Sequence, residues 1–236
     1  MADITIGWCP MYVDLGLLQL IEQPKSLYDK YLKNTKYNHL KCPATMDIYK
    51  NTFVVASPFD CFFETDLENK QIHLFSKSKN IPHDFFHLRE GEYGQDDDPL
   101  MSLAFQLLFM SEENDIEMIV TSPYFESQQS NLRVIPGRMN ISKWWRPTDL
   151  AFQLENKKEK IKIKRGDPLF YVTFIPKTSG DFIKLKEVEL TQELQDYVSS
   201  TVNMKWFAPR CPLSKLYSIA DKFRKKGKRP KLKFLQ

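Results

Sequence analysis

The chain is predicted to be mainly β, with a sandwich-type core and small helical attachments at both ends. Three observations predict this. Leu150, Phe152 and Leu154, then Ile161 and Ile163, then Phe170, Val172 and Phe174 recur at period two, the spacing of strands with one buried face. Turn signals separate these runs: Pro136-Gly137, the charged stretch 155–160, and Arg165-Gly166-Asp167. A helical period dominates only after residue 190. The expected division is an N-terminal extension over 1–42, the core over 43–178, and a helical C-terminal extension with a basic tail over 179–236. At 236 residues and 42% hydrophobic content the chain is long enough for one well-packed domain with attachments.

Taken in order, Ile4–Ile6 reads as a short strand. Ser26-Leu27-Tyr28-Asp29 resembles a capping box that opens a short helix, with Leu27, Tyr28, Tyr31 and Leu32 on one face. Cys42-Pro43 marks a break, and Thr45 to Pro58 reads as extended, continued by Phe59 to Phe63. Asp66–Asn69 supplies a turn before an alternating strand from Gln71 to Phe75. Residues 77–98 are polar, with Pro82, Gly91 and Gly94, and read as a long loop of the kind that often carries function. Met101–Met110 and Ile116–Val120 flank Ser111–Asp115, which reads as a hairpin. Beyond the three alternating strands, Phe182 to Leu190 is one more. Thr191 then caps a helix with Leu194, Tyr197, Val198 and Thr201 on one side. A last helix runs from Leu213 to about Lys226, with Leu216, Ile219, Ala220 and Phe223 on one face and Gly227 at its end.

Several classes are disfavoured. No apolar run approaches the roughly 18–20 residues that cross a bilayer. The first residues lack the basic start and long apolar stretch of a signal peptide, so the expected location is cytosolic. No two of Cys9, Cys42, Cys61 and Cys211 have zinc-ribbon or thioredoxin spacing, and they read as small apolar groups. His83-Asp84-Phe85-Phe86-His87 places two imidazoles four apart but follows Pro82 in a polar stretch, so a surface loop is preferred to a metal pair. Asp96-Asp97-Asp98 lacks the alternation and distal Glu of a calcium loop and reads as a solvated turn. No cofactor or metal is expected.

Charge is unevenly distributed. Lys222, Arg224, Lys225, Lys226, Lys228, Arg229, Lys231 and Lys233 lie near the end, and no acid follows Asp221. These are eight of the 34 basic residues, so the body holds 26 against 30 acids and is mildly acidic. A basic tail on an acidic body points to an anionic partner. Phe223, Leu232, Phe234 and Leu235 lie among the cations, which a purely solvated tail does not need. Docking on protein, or on nucleic acid through counterion release, would use them.

The segment Gly137-Arg138-Met139-Asn140-Ile141-Ser142-Lys143-Trp144-Trp145-Arg146-Pro147 leads to the strands and to Gly166-Asp167. Arg138, Asn140, Lys143, Trp144, Trp145, Arg146 and Asp167 are the candidate binding residues, for protein or nucleotide. Trp and Arg together offer stacking area and a planar charged fork. The alternative is that one Trp fills the core and the other covers a subunit seam.

From Asn131 to Phe174 the chain resembles the second half of dUTPase-like β-clip proteins, which carry a Gly-x-Ile-Asp-x-x-Tyr-x-Gly turn and a later strand opening with Gly-Asp. The whole chain is more similar to a phage and bacterial family with this core, with the likeness reaching back to Cys42-Pro43 and Ser122-Pro123-Tyr124. The resemblance implies a β-clip fold that tends to trimerise. It also implies an aspartate in the first turn that holds the sugar and aids water attack. Here Asn140 and Ser142 stand in that neighbourhood, and neither takes a proton at neutral pH. Trp144 or Trp145 would match the aromatic that stacks on uracil. Pro147 replaces the closing glycine, and a lysine-rich tail replaces the glycine-rich arm. The implied function is therefore a non-catalytic, phage-type structural or interaction protein that forms a homo-oligomer and binds other phage or host proteins. Two alternatives stand beside it. One is a nucleotide-binding or nucleotide-hydrolysing enzyme, with Asp167, Asp149 or Asp84 for Mg²⁺ and Arg138 or Arg146 for phosphates. The other is a DNA-binding accessory protein acting through the tail.

Overall fold

The computed structural model describes residues 3–11, 21–33, 36, 41–66, 71–74, 86–89, 100–103, 106–125, 132–148, 150–154, 160–178, 180–207, 210–225 and 229–235. Among them the chain is mainly β, with small helical attachments, as the alternation predicts. Four sheets form. In the first, β1 (Asp3–Met11) is central, parallel to β15 (Phe182–Glu187) and antiparallel to β8 (Gln106–Met110). The second runs β10 (Leu132–Val134), β12 (Ala151–Leu154), β7 (Leu100–Leu103), β6 (Phe86–Arg89). The third runs β11 (Gly137–Asn140), β9 (Glu117–Thr121), β14 (Pro168–Ile175), β3 (Thr52–Ala56), β2 (Lys25–Ser26). The fourth runs β13 (Ile161–Ile163), β4 (Cys61–Asp66), β5 (Gln71–Leu74).

The period-two pattern explains the core. Phe170, Val172 and Phe174 of β14 point inward with Phe53 and Val55 of β3, Met118 and Val120 of β9, and Phe152 of β12. Ile6 and Trp8 of β1, Leu107 and Phe109 of β8, and Ile183 and Leu185 of β15 close the same cluster from the first sheet. Phe174 meets Phe53 at 5.8 Å and Phe109 at 5.6 Å between ring centroids, both edge-on, so it joins two sheets. The segment 1–42 thus supplies a central strand, and the expected three-residue strand at Ile4–Ile6 extends over nine residues.

The C-terminal helices form as the sequence predicts. In α3 (Gln192–Phe207), Leu194, Tyr197, Val198 and Thr201 are all buried. Thr191 caps it, its Oγ1 accepting from the Leu194 N–H at 3.3 Å. In α4 (Leu213–Lys225), Leu216 and Ala220 are buried. The Ser26 turn is also present: its Oγ accepts from the Asp29 N–H at 3.4 Å ahead of α1 (Tyr28–Leu32), a π-helical turn.

Four sequence expectations are corrected. Residues 45–58 are not continuously extended: Pro43–Tyr49 forms α2, with Pro43 at its first turn and the Met46 N–H bonded to the Cys42 carbonyl at 2.9 Å. Proline's fixed φ suits a helix start, so Cys42-Pro43 opens an element. Ser111–Asp115 does not close a hairpin. β8 pairs with β1, whereas β9 pairs with β11 and β14, and the turn, with Asp115 at φ 58, passes the chain between sheets. Met101–Met110 is not one strand but parts of β7 and β8, which belong to different sheets. The stretch 77–98 includes strand β6. The rest of it, with His83, Asp84 and the Asp96–Asp98 run, lies outside the described residues, as do Asp149 and Gly227.

Candidate functional site

The turn after β11 is built by its own side chains. Asn140 Oδ1 accepts the amides of Ser142 at 3.1 Å and Lys143 at 3.0 Å, and the Asn140 carbonyl accepts the Trp144 amide at 3.1 Å. Ser142 Oγ accepts the Ile116 amide at 2.8 Å, and the Ile141 amide donates to the Ile116 carbonyl at 3.0 Å. An Asn is well suited to such a turn because its short side chain reaches amides two and three residues ahead. The same bonds leave Asn140 and Ser142 engaged in structure.

Both indoles are interior. Trp145 is 0% exposed and Trp144 4%. Trp145 packs with Leu194 and Val198 of α3 and meets Tyr197 edge-on at 5.6 Å, in a cluster that includes Cys9, Leu108, Met110 and Val188. Its Nε1 donates to the Ser111 carbonyl at 3.4 Å, and its carbonyl accepts from Thr201 Oγ1 at 2.7 Å. Trp144 packs with Leu216 and Ala220 of α4 and meets Tyr217 at 6.1 Å. The Asn140 amide donates to the Tyr217 hydroxyl at 2.8 Å. Burial is the first cause that raises the Tyr217 hydroxyl above the usual tyrosine range.

The basic tail continues this cover. Lys222 lies exposed on α4, Arg224 and Lys225 lie in its last turn, and Lys226 and Lys228 fall outside the described residues. Arg229 sets its guanidinium 4.4 Å from the Trp145 ring and donates to the Lys143 carbonyl at 3.2 Å. Residues 231–235 then run along the end of β15. The Glu189 amide donates to the Lys233 carbonyl at 2.8 Å, the Leu235 amide to the Glu187 carbonyl at 2.9 Å, and Val188 pairs antiparallel with Phe234. Leu232 packs on the Trp145 cluster, and its amide donates to Glu112 Oε1 at 3.2 Å. Lys231 and Lys233 face solvent. Leu232 and the backbone of 233–235 thus seat this segment on the chain's own body, while the Phe234 and Leu235 side chains stay 38% and 49% exposed.

The remaining sequence-predicted residues are spread out. Arg138 is ion-paired with Glu117, and Lys143 with Asp115 at 3.1 Å. Arg146 stacks 5.6 Å from the Trp144 ring. Asp167 is elsewhere. Asn140 is in register with Glu117 and hence with Ile175, at the far end of β14 from Asp167, about 25 Å along the strand. There Asp167 Oδ2 accepts the Lys164 amide at 2.8 Å and its carbonyl accepts the Ser57 amide at 2.8 Å, in a turn whose Gly166 has φ 86. That positive φ explains the glycine. Among the described residues no group of three or more His, Cys, Asp or Glu side chains is placed to hold a metal ion, and no helix is long and apolar enough to cross a membrane.

The structure adds a concavity that the sequence reading missed. A cleft of about 620 Å³ lies between α2 and the outer face of β9 and β14, with Ile48, Tyr49, Ile119, Thr121, Tyr124 and Ile175 in its walls and Lys177 at its rim. The Tyr49 and Tyr124 rings lie 6.0 Å apart and 25° from parallel, and Tyr124 meets Tyr171 edge-on at 5.0 Å. Burial pushes the Tyr124 hydroxyl above the usual tyrosine range, opposed by a hydrogen bond with Thr52. The Thr52 hydroxyl in turn meets Thr173 Oγ1 at 2.9 Å and the Ile48 carbonyl at 2.8 Å. The available signal was Ser122-Pro123-Tyr124, but its partner Tyr49 sits on a helix in a stretch read as strand.

No family model matches the chain, and no curated protein does. Among solved structures it is similar to a mutant dUTPase of Staphylococcus bacteriophage 80alpha, at 8% identity and TM-score 0.35, covering 78% of this chain and 96% of that one. It is also similar to the dUTPase of phage phi11 of S. aureus, at 10% identity and TM-score 0.34, covering 78% and 97%. Similarity at this level says nothing of activity.

Proposed function

We propose that this protein is a non-catalytic interaction protein of the kind tailed phages carry, built on a dUTPase-like β-clip core and acting as a homo-oligomer on other proteins. The observation that supports it most is the state of the turn at 137–147. Where the resembled enzymes need a carboxylate to activate water, Asn140 stands with its Oδ1 accepting two amides. The aromatic pair that would stack a base is covered by α3, α4 and the tail. Of the cations at this turn, Arg138 and Lys143 are paired with Glu117 and Asp115, and Arg146 lies over the Trp144 ring. Among the described residues this turn offers no base and no open stacking face to stabilise a developing charge. The sequence resemblance supports the phage setting and the oligomer, and the exposed Lys222, Lys231 and Lys233 supply positive charge for an acidic partner.

The test uses the purified full chain with Mg²⁺ and each common deoxynucleoside triphosphate. Pyrophosphate release is expected at background, and light scattering is expected to give a closed oligomer. A nucleotide bound at 100 times its dissociation constant adds about 2.7 kcal/mol of stability, so a thermal shift is expected to stay flat. Saturable pyrophosphate release, a nucleotide-dependent thermal shift, or a monomeric mass would overturn the reading.

A further inference from the structure

We propose that the cleft between α2 and the outer face of β9 and β14 is a binding site for a small flat aromatic anion. The inference stands apart from the tryptophan turn and does not rest on it. The cleft volume, about 620 Å³, falls within the roughly 300–1,000 Å³ of small-molecule sites. Its walls are unusual for a surface. Ile48 is 52% exposed, Tyr124 51% and Ile175 40%, and all three line the same concavity. Single exposed apolar residues need no explanation, but several facing one cleft mark an interaction site. The near-parallel Tyr49 and Tyr124 rings present a broad π surface, which favours a flat ring over a bulky aliphatic group.

Polar groups narrow the class further. Thr121 Oγ1 is buried without a hydrogen-bond partner, while other polar side chains of the lining are engaged. Asn51 Nδ2 donates to the Asp181 carbonyl at 3.0 Å and its Oδ1 accepts the Ile183 amide at 3.0 Å. Thr173 is bonded to Thr52. A buried hydroxyl left unpaired is costly, and a ligand atom that accepts its hydrogen bond relieves that cost. Charge gives the sign. The Asp47 carboxylate is neutralised by Lys50 Nζ at 2.7 Å, whereas Lys177 has no carboxylate partner among the described residues. The other titratable groups of the lining, Tyr49 and Tyr124, are phenols. The uncompensated charge is thus one ammonium at the rim, set to meet an anionic substituent on a ring held between tyrosine and isoleucine.

The test is calorimetric titration of the full chain with anilinonaphthalene sulfonate, a flat aromatic anion. One site per chain is expected, with affinity falling as salt rises. Tyr124→Ala and Ile175→Asp are each expected to weaken binding about tenfold or more, and Lys177→Gln is expected to weaken it and flatten the salt dependence. Leu213→Ala, which trims an exposed apolar residue on α4, is expected to change nothing. Ile175 and Lys177 are surface residues, so these variants test the site even if Tyr124→Ala fails to fold. Absence of binding to the folded wild type, several equivalent sites, or unchanged affinity in Ile175→Asp would overturn the proposal. Equal affinity for the uncharged parent amine would overturn its anionic part. None of these outcomes depends on whether the chain hydrolyses a nucleotide or forms an oligomer.

Discussion

Gly7 shows how closely the C-terminal segment is fitted to the first strand. A Cβ built on it would lie 2.7 Å from Val188 Cγ2 and 3.2 Å from both Leu232 Cδ1 and Met110 Cγ. Val188 and Met110 are buried and have little room to yield. Gly7→Ala is therefore expected to lower the unfolding free energy by about 1–3 kcal/mol, the usual cost of overpacking, as read by chemical denaturation. Cys9, on the same strand, has its thiol pushed from 9.0 up to about 12 by burial and then by the Glu187 carboxylate. It is expected to ignore a disulfide reagent at pH 8 that modifies the exposed Cys42. Because the folded state holds this proton more tightly, the associated stability is complete below pH 9 and is lost as pH rises toward 12. Cys9→Ala is expected to lose less stability over that window than the wild type. At this scale the sequence drew attention to the turn, but not to its surroundings. Trp144 and Trp145 stand out for their size and neighbours, yet the groups that bury them come from β1, β8 and the C-terminal segment from Val188 to Leu232, and no local pattern reveals that contact.

The elements divide according to how local their determinants are. The α3 stripe of Leu194, Tyr197, Val198 and Thr201, the Thr191 cap and the strand alternation of β12, β13 and β14 were all legible, because each is set by spacing within one segment. Strand partnership was not. The Ser111–Asp115 turn looks like a hairpin, and only the pairing of β8 with β1 shows that its two strands serve different sheets. α2 was hidden because Cys42-Pro43 reads equally as a stop and a start. Besides the packing of Trp144, α4 is fastened to the turn by a hydrogen bond, the Tyr217 hydroxyl accepting the Asn140 amide. Tyr217→Phe removes that acceptor and is expected to cost about 1 kcal/mol, with the far-ultraviolet spectrum unchanged. A loss well under that figure would show that the helix is held by Trp144, Leu216 and Ala220 alone.

Over the whole molecule, the order of strands joins the two ends of the chain. β1 and β15 pair in parallel from Asp3↔Phe182 to Trp8↔Glu187, and Arg229, Leu232 and Phe234 close over the same sheet. The fold class was readable from periodicity, and the turn at 137–147 was readable as the chain's distinctive feature. That this turn faces inward was not, since it depends on contacts across the full length. The cation–π contact of Arg229 is worth about 0.5–2 kcal/mol, and burial of a leucine such as Leu232 about 1.5–3 kcal/mol. Deleting 229–236 is therefore expected to destabilise the entire fold in one transition, rather than to free a passive tail.

Hydrogen–deuterium exchange over residues 137–148 tests most directly that this turn is a sealed structural seat. The amides of Asn140, Ile141, Ser142, Lys143, Trp144 and Thr148 all donate to partners within the chain. Exchange there is predicted to be as slow as in β14 for the full chain, and to quicken when residues 229–236 are removed. Rapid exchange of this segment in the full chain, alongside a protected β14, would contradict the account and make the turn an open loop.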